Sequence, residues 1–462
     1  MRKERGAMIG LFALALAVRL LALVVFPGHG TIQDDAVDYD RLARNLLAGH
    51  GYSLSVQAPY EPTMARDPLY PFVLAAVYAV GGGNVTVALV VQAILGAFTP
   101  LLVYGLCREM AQAALALPPS PPSSLPPSWG RAWAGCWLAA VLTALYPVLV
   151  VSSGYVLTEW LATLLLTAAL FLFARAYRSG QMRWAAAAGA ALGLLALARA
   201  TMQLLPLGLA ALLLAGWGLY RLARRPSWLR EFRFSFRVVW PLLAGFVLTV
   251  LPWALRNQVT FGTWQLGGRS GQALWARTLN LPTMRYDKGP AVALAQQERQ
   301  RRQAQGLTYE EIDRQMQAEA LAAIRQYPLS YLAQNLREVS RMWITTYSSD
   351  FDLDLPFGDY LAQGNIPAVA VKLLLIGLNF ATLSLALLGA LARLRHWTLW
   401  WPLGVAILYV TGVYSFFWAL PRYGVLLYPT VLVFVAWGLA AGAHMGGVVM
   451  GGGIWRIRAR PA

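Results

Sequence analysis

Four aspartates stand close together near the start of the chain: Asp34, Asp35, Asp38 and Asp40. Carboxylates at this density serve as bases, as cation ligands or as helix caps, and their partners decide among these roles. The partners on offer are arginines. Arg66 precedes an apolar stretch, Arg199 and Arg256 end two others, Arg422 and Tyr423 open the last, and Glu159 starts another. Guanidinium forks bind phosphate through parallel N–H donors, and clustered cations stabilise the charge that grows on a departing phosphate. Phosphate leaves without a general acid, so one carboxylate acting as base on an incoming hydroxyl completes the set. Glycoside hydrolysis, by contrast, usually needs a pair of carboxyl groups across the bond. Residues of these types suit transfer from a lipid-linked phosphate sugar.

The elements that position them are membrane helices. Of 462 residues, 58% are hydrophobic and only 13% charged, outside the range of soluble domains. The spacing predicts ten apolar spans, at 7–26, 85–107, 132–151, 156–174, 184–200, 203–220, 238–255, 369–391, 397–417 and 424–443. Lys and Arg outnumber Asp and Glu by 38 to 21. Nearly all the excess is arginine at span ends, where it sets topology; with no soluble basic domain, nucleic acid is excluded as a partner. If the ten spans alternate, residues 2–5, Arg108 with Arg131, Arg175 to Arg183, Arg221 to Arg237, Arg393 with Arg395, and Arg456 to Arg460 share one side. That side is the cytoplasm by the positive-inside rule, with both termini there. The first span reads as a retained anchor, because no small-residue cleavage site follows it. Cys107 and Cys136 read as free thiols in a reducing compartment.

The same alternation gathers the acidic loop and the arginines named above on the outer face. Three regions result: a transmembrane module over 1–255 whose outer loop 27–84 carries the aspartates, an extracytoplasmic helical segment over 256–368, and C-terminal membrane helices over 369–462. Tyr70 to Val80 is too short to span and reads as a juxtamembrane helix. Pro118 to Ser128 is a flexible Pro- and Ser-rich linker. Thr308 and Glu311 have capping-box spacing and open a helix that stops at Tyr327 and Pro328. Beyond it, Tyr331, Leu332, Leu336, Val339, Met342 and Trp343 describe an interfacial helix on the membrane surface.

The strings DDAVDYDRLARNLLAGHGYSL (Asp34 to Leu54) and RDPLYP (Arg66 to Pro71) resemble the first outer loop of bacterial polytopic glycosyltransferases of the GT-C fold. These are the family 39-like enzymes related to protein O-mannosyltransferases and lipid A aminoarabinose transferases. LTEWLATLLLTAALFLF (Leu157 to Phe173), ARATMQLLPL (Ala198 to Leu207), LPWALRNQVTFG (Leu251 to Gly262) and PRYGVLLYP (Pro421 to Pro429) resemble that family in the same order. The resemblance implies an all-α membrane fold and an enzyme moving a sugar from a polyprenyl-phosphate donor to a hydroxyl on a glycan, lipid or protein acceptor, with inversion. Its catalytic aspartate sits four residues before an aromatic, which selects Asp35 before Tyr39 as base, with Asp34 second. Where relatives often carry Asp-Glu, Ala36 follows Asp35 here. By position, Arg66, Arg256, Arg422 and Tyr423 would hold the donor phosphate, and Glu159 and Arg199 would contact substrate or a metal. Metal dependence stays open, since some enzymes of this fold use a divalent cation and others do not; no other cofactor is implied. The competing readings are a transporter or flippase of lipid-linked glycans and a non-catalytic scaffold in envelope assembly. For each residue a structural role competes: helix capping for the aspartates and for Thr158 with Glu159, and membrane anchoring for Arg66, Arg256, Arg422 and Trp253.

Overall fold

The structure, a computed structural model, describes all residues but 1, 27–31, 33–34, 116–128, 225–226, 269, 280, 282–287, 346, 352, 354, 418–419 and 452–462. Asp34, the linker 118–128 and the basic tail Arg456 to Arg460 lie outside the described residues. Most of the remainder is helical, and the β-structure among the described residues is an isolated bridge between Ser53 and Pro62.

The elements are α1 (Arg2–Val25), α2 (Asp35–Leu47), α3 (Leu69–Gly81), α4 (Val85–Gly96), α5 (Thr99–Leu115), α6 (Trp129–Leu145), α7 (Pro147–Val151), α8 (Glu159–Ser179), α9 (Met182–Ala198), α10 (Leu205–Leu222), α11 (Ser235–Phe261), α12 (Ser270–Thr278), α13 (Lys288–Ala304), α14 (Tyr309–Gln326), α15 (Pro328–Trp343), α16 (Phe357–Ala362), α17 (Ile366–Ala392), α18 (Trp397–Phe417) and α19 (Tyr428–Gly451). Eight helical segments among the described residues are long and apolar enough to cross a membrane, and a ninth is counted if α6 and α7, bent by 55° from one another, form one span. The bend falls at Pro147, which lacks the N–H that would continue the ladder of α6. The tenth expected span, 184–200, folds as α9, an apolar helix of 17 residues. The chain is thus an all-α, multi-pass membrane protein.

Helix α9 is held by its small residues. A Cβ on Gly189 would lie 1.9 Å from the Leu242 carbonyl oxygen, and one on Gly245 would lie 2.2 Å from that of Ala186. The backbones of α9 and α11 therefore touch, the close approach that lets membrane helices associate without a hydrophobic driving force. At one end of the bundle, Arg108 pairs with Glu4 at 2.8 Å and Arg178 with Glu109 at 2.5 Å. Glu4, Arg108 and Arg178 belong to the set that the charge pattern assigns to a single side.

At the other end, α12 to α16 form a helical cap. Thr308 and Glu311 make the expected capping box, and α14 ends at Tyr327. Asp313 of α14 accepts hydrogen bonds from the Gly271 and Gln272 amides, so α12 starts against it. Helix α15 departs from the sequence reading. Its buried residues are Tyr331, Gln334, Glu338 and Met342, while Leu329, Leu332 and Leu336 are exposed. The expected stripe is split over two faces because Arg277 of α12, fully buried, draws the polar residues inward. Its guanidinium donates to Asn335 Oδ1 at 2.5 Å and to the Ser415 carbonyl at 3.3 Å, and lies 3.6 Å from Glu338. The Tyr331 hydroxyl donates to the Phe416 carbonyl, tying the cap to the end of α18. Leu329, Leu332 and Leu336 then remain as the apolar face at helical spacing.

Candidate active site

The segment from Asp35 to Gly81 is a small folded unit. Helix α2 begins at Asp35 with Asp38 in the same turn. Asn45 donates to the Ser53 and Ser55 carbonyls at 2.7 and 3.0 Å, and the Tyr52 hydroxyl donates to the carbonyls of Arg66 and Asp67 at 2.9 and 3.2 Å. Asp40 serves structure, receiving Tyr78 of α3 at 2.8 Å and Arg44 at 2.8 Å. These bonds set Arg66 and Asp67 beside the start of α2. The i, i+4 spacing of Asp35 and Tyr39 places both against Arg66, whose guanidinium lies 5.1 Å from the Tyr39 ring.

A second contribution comes from the helix ends. Arg66 reaches Asp35 Oδ1 at 2.5 Å and Asp38 Oδ2 at 2.9 Å, while Arg422 reaches Asp35 Oδ2 at 2.5 Å. Glu159, first residue of α8, receives Arg199 at 2.7 Å and stands 3.8 Å from Arg422. Thr158 does not cap α8; its hydroxyl instead accepts from Arg199 Nε at 3.1 Å, and Arg199 also donates to the Tyr414 hydroxyl at 3.0 Å. Tyr423 stacks on Tyr414 at 4.3 Å beneath the guanidiniums of Arg199 and Arg422. Glu159 Oε2 is buried without a hydrogen-bond partner.

These groups line one cavity of about 400 Å³, a volume in the range of small-molecule sites. Of the residues singled out in the sequence, Asp35, Arg66, Glu159, Arg199, Arg422 and Tyr423 line it. Arg256 does not. It donates to the Thr63 carbonyl at 2.9 Å and sits 4.7 Å from the Trp253 ring and 4.9 Å from the Phe261 ring, bracing the outside of the first loop. Trp253 braces the same region, donating to the Leu266 carbonyl at 2.9 Å.

Two features escaped the sequence. The arginines are already paired: Asp35 and Asp38 occupy Arg66, and Asp35 and Glu159 occupy Arg422 and Arg199. A phosphate entering the cavity competes with carboxylates rather than filling bare cationic ground. The other is Asp67, which also lines the cavity. Its neighbour Arg66 drew the notice, yet the pair stands together in the string RDPLYP.

The two aspartates have opposite electrostatics. Burial pushes the Asp35 carboxyl up, but the Arg66 and Arg422 guanidiniums outweigh it and hold the group well below the usual carboxylate range. Burial pushes Asp67 up to about 6, against the Ala200 N–H and the more distant charges of Arg199 and Arg66. As for a metal, no group of three His, Cys, Asp or Glu among the described residues is placed to hold one, and each carboxylate paired above faces a guanidinium. Among the described residues these paired carboxylates are partners of guanidiniums and do not form a cation site.

No protein-family model matches the chain, and no curated protein matches it in sequence. Among solved structures, the crystal structure of ArnT from Cupriavidus metallidurans bound to undecaprenyl phosphate is similar over 96% of this chain and 80% of that one, with 16% identity and a TM-score of 0.41.

Proposed function

We propose that this protein is a membrane glycosyltransferase of the GT-C type, moving one sugar from a polyprenyl-phosphate carrier to an acceptor hydroxyl on the outer face of the cytoplasmic membrane. The observation that carries the reading is the cavity itself, where Asp35 is gripped by Arg66 and Arg422 at 2.5 Å each, with Arg199 and Glu159 behind. Bidentate-capable guanidiniums around a carboxylate supply both a phosphate clamp and a base in one place.

Chemistry follows from competition. A donor phosphate recruits Arg66 and Arg422, and Asp35 loses the partners that depress its basicity. Asp35 then takes the proton of the acceptor hydroxyl as the acceptor oxygen attacks the anomeric carbon. The bond from that carbon to the phosphate oxygen breaks, and polyprenyl phosphate leaves with the electron pair. In-line attack inverts the anomeric centre. The helical cap over 256–368 covers the sugar and selects the acceptor. The orientation rests on the arginine distribution, which puts the aspartates opposite the side rich in Arg.

A transporter of lipid-linked glycans would carry broken helices at matched positions in two halves. Among the described residues one bent pair occurs, α6 with α7, which leaves that reading without its matched second break.

The test is release of polyprenyl phosphate from a panel of polyprenyl-phosphate sugars by the purified protein, followed by mass spectrometry. Release that depends on an added acceptor supports the reading. Movement of the intact donor across vesicles, with no release, would replace it with transport.

A further inference from the structure

The cavity that holds the guanidiniums of Arg66, Arg199 and Arg422 with their carboxylates is also lined by uncharged polar groups, Thr201, Gln265 and Gln317, and by a further carboxyl, Asp67. A phosphate belongs against the guanidiniums, since Asp67 would repel it.

Asp67 is built in from three sides. Its Oδ2 accepts the Ala200 N–H at 3.0 Å, at the junction between α9 and α10. Its backbone carbonyl accepts the Tyr52 hydroxyl. Its Oδ1 lies where a side chain on Gly267 would have to go, 2.0 Å from the position of a Cβ there. Only glycine lets the 262–268 turn close over this carboxyl. Among the described residues no ion pair reaches Asp67, in contrast to Asp35, Asp38 and Glu159. A carboxyl so fixed, partly exposed to the cavity it lines, has one oxygen to offer a ligand.

We propose that Asp67 reads the transferred sugar, its Oδ1 accepting a hydrogen bond from a sugar hydroxyl, so that the site takes neutral or amino sugars and rejects acidic ones. This rests on the glycosyltransferase reading and goes beyond it by naming the sugar class. A carboxylate acceptor is stronger than a neutral one, and a like charge brought against it is strongly disfavoured.

Ionisation gives an independent handle. The titratable groups facing Asp67 are Tyr39 from α2, Tyr52 and Arg66 from the first loop, and Arg199 from the end of α9; the 262–268 turn brings none. Tyr39 is pushed up to about 12 and Tyr52 well above its usual value, both chiefly by burial, so neither titrates near neutrality. Asp67 ionises near pH 6. The charged acceptor therefore forms as pH rises through about 6, and kcat/KM for the donor rises with it.

The experiment compares wild type, Asp67→Asn and Asp67→Ala on polyprenyl phosphates carrying a neutral, an amino or an acidic sugar, beside binding of sugar-free polyprenyl phosphate. Asn can still accept the Ala200 N–H, which protects the fold, and thermal melting checks it. Expected in Asp67→Asn are binding of the sugar-free lipid no weaker than in wild type and kcat/KM for a neutral-sugar donor lower by about 10- to 100-fold, the value of one charge-assisted hydrogen bond. The preference against acidic donors shrinks, and the pH limb near 6 disappears. If both variants turn over donors with unchanged preference and pH profile, Asp67 is structural and the inference falls while the reaction class stands. Preferred turnover of an acidic donor by wild type overturns the inference equally. If wild type binds no polyprenyl phosphate and turns over no donor, the glycosyltransferase reading fails and this inference with it.

Discussion

Replacing Asp35 by Asn should tighten the grip on the carrier while stopping the reaction. In the resting site Asp35 receives Arg66 and Arg422 through contacts of 2.5 Å each. A donor phosphate must displace it from both. A hydrogen bond to a charged group is worth about 1.5–3 kcal/mol. Asn keeps one oxygen acceptor but neither its charge nor its second oxygen, so roughly one such bond's worth of competition is removed. Asp35 and Arg422 have side chains 26% and 32% exposed, and solvent screening takes the lower end of that range. About 1.5 kcal/mol corresponds to roughly tenfold tighter binding of polyprenyl phosphate. Transfer should fall by about 10²- to 10⁴-fold, the usual contribution of a positioned base. The assay is titration of detergent-solubilised protein with polyprenyl phosphate, paired with single-turnover transfer and thermal melting. Weaker binding of the lipid by a folded Asp35→Asn variant would refute the competition and recast Asp35 as the residue that orients the arginines. Retained transfer would refute its role as base.

Further outcomes follow from other parts of the structure. Arg256→Ala should leave the Kd for polyprenyl phosphate unchanged within about threefold, because Arg256 is spent on the Thr63 carbonyl and the Trp253 and Phe261 rings. It should lower stability by about 1–2 kcal/mol, seen as a lower Tm. Arg199→Lys keeps a charge for Glu159 but cannot reach Thr158 and Tyr414 at once, so a loss of about 2–4 kcal/mol is expected in denaturation, with donor turnover reduced alongside. Gly189→Leu forces α9 off α11, where even a Cβ meets the Leu242 carbonyl, and should cost about 3 kcal/mol or prevent folding, read from Tm and monodispersity.

What was legible in the sequence was what the bilayer enforces. Runs of about 20 apolar residues are helices because lipid leaves the backbone no other partner, and among the described residues eight helices long and apolar enough to cross a membrane, with the bent pair α6 and α7, lie where the runs do. Helix α9 has the same 17 residues of length as the expected span 184–200, begun two residues earlier, and its Ala- and Gly-rich sequence is fixed by what packs on it. Local chemistry was legible too, as the Thr308–Glu311 capping box shows. Long-range pairing was not. Asp35 and Arg422 are 387 residues apart, and only the fold brings them within 2.5 Å. For the same reason the burial of Gln334 and Glu338 was not legible, because it depends on Arg277 of another helix lying beside them. Arg256 drew attention as a cation on the side where arginine is scarce, but its cage of Trp253, Phe261 and Tyr52 accounts for it. Asp67 was hidden in plain view, because its significance depends on Gly267 and Ala200 closing around it.

The most direct measurement is transfer of a radiolabelled sugar from polyprenyl-phosphate donors to acceptor by the purified protein, run beside Asp35→Asn. Label should pass to the acceptor with wild type and not with the variant, while both proteins bind the carrier lipid. Absence of transfer by stably folded wild type across a broad donor panel, or equal transfer by the variant, would contradict the assignment.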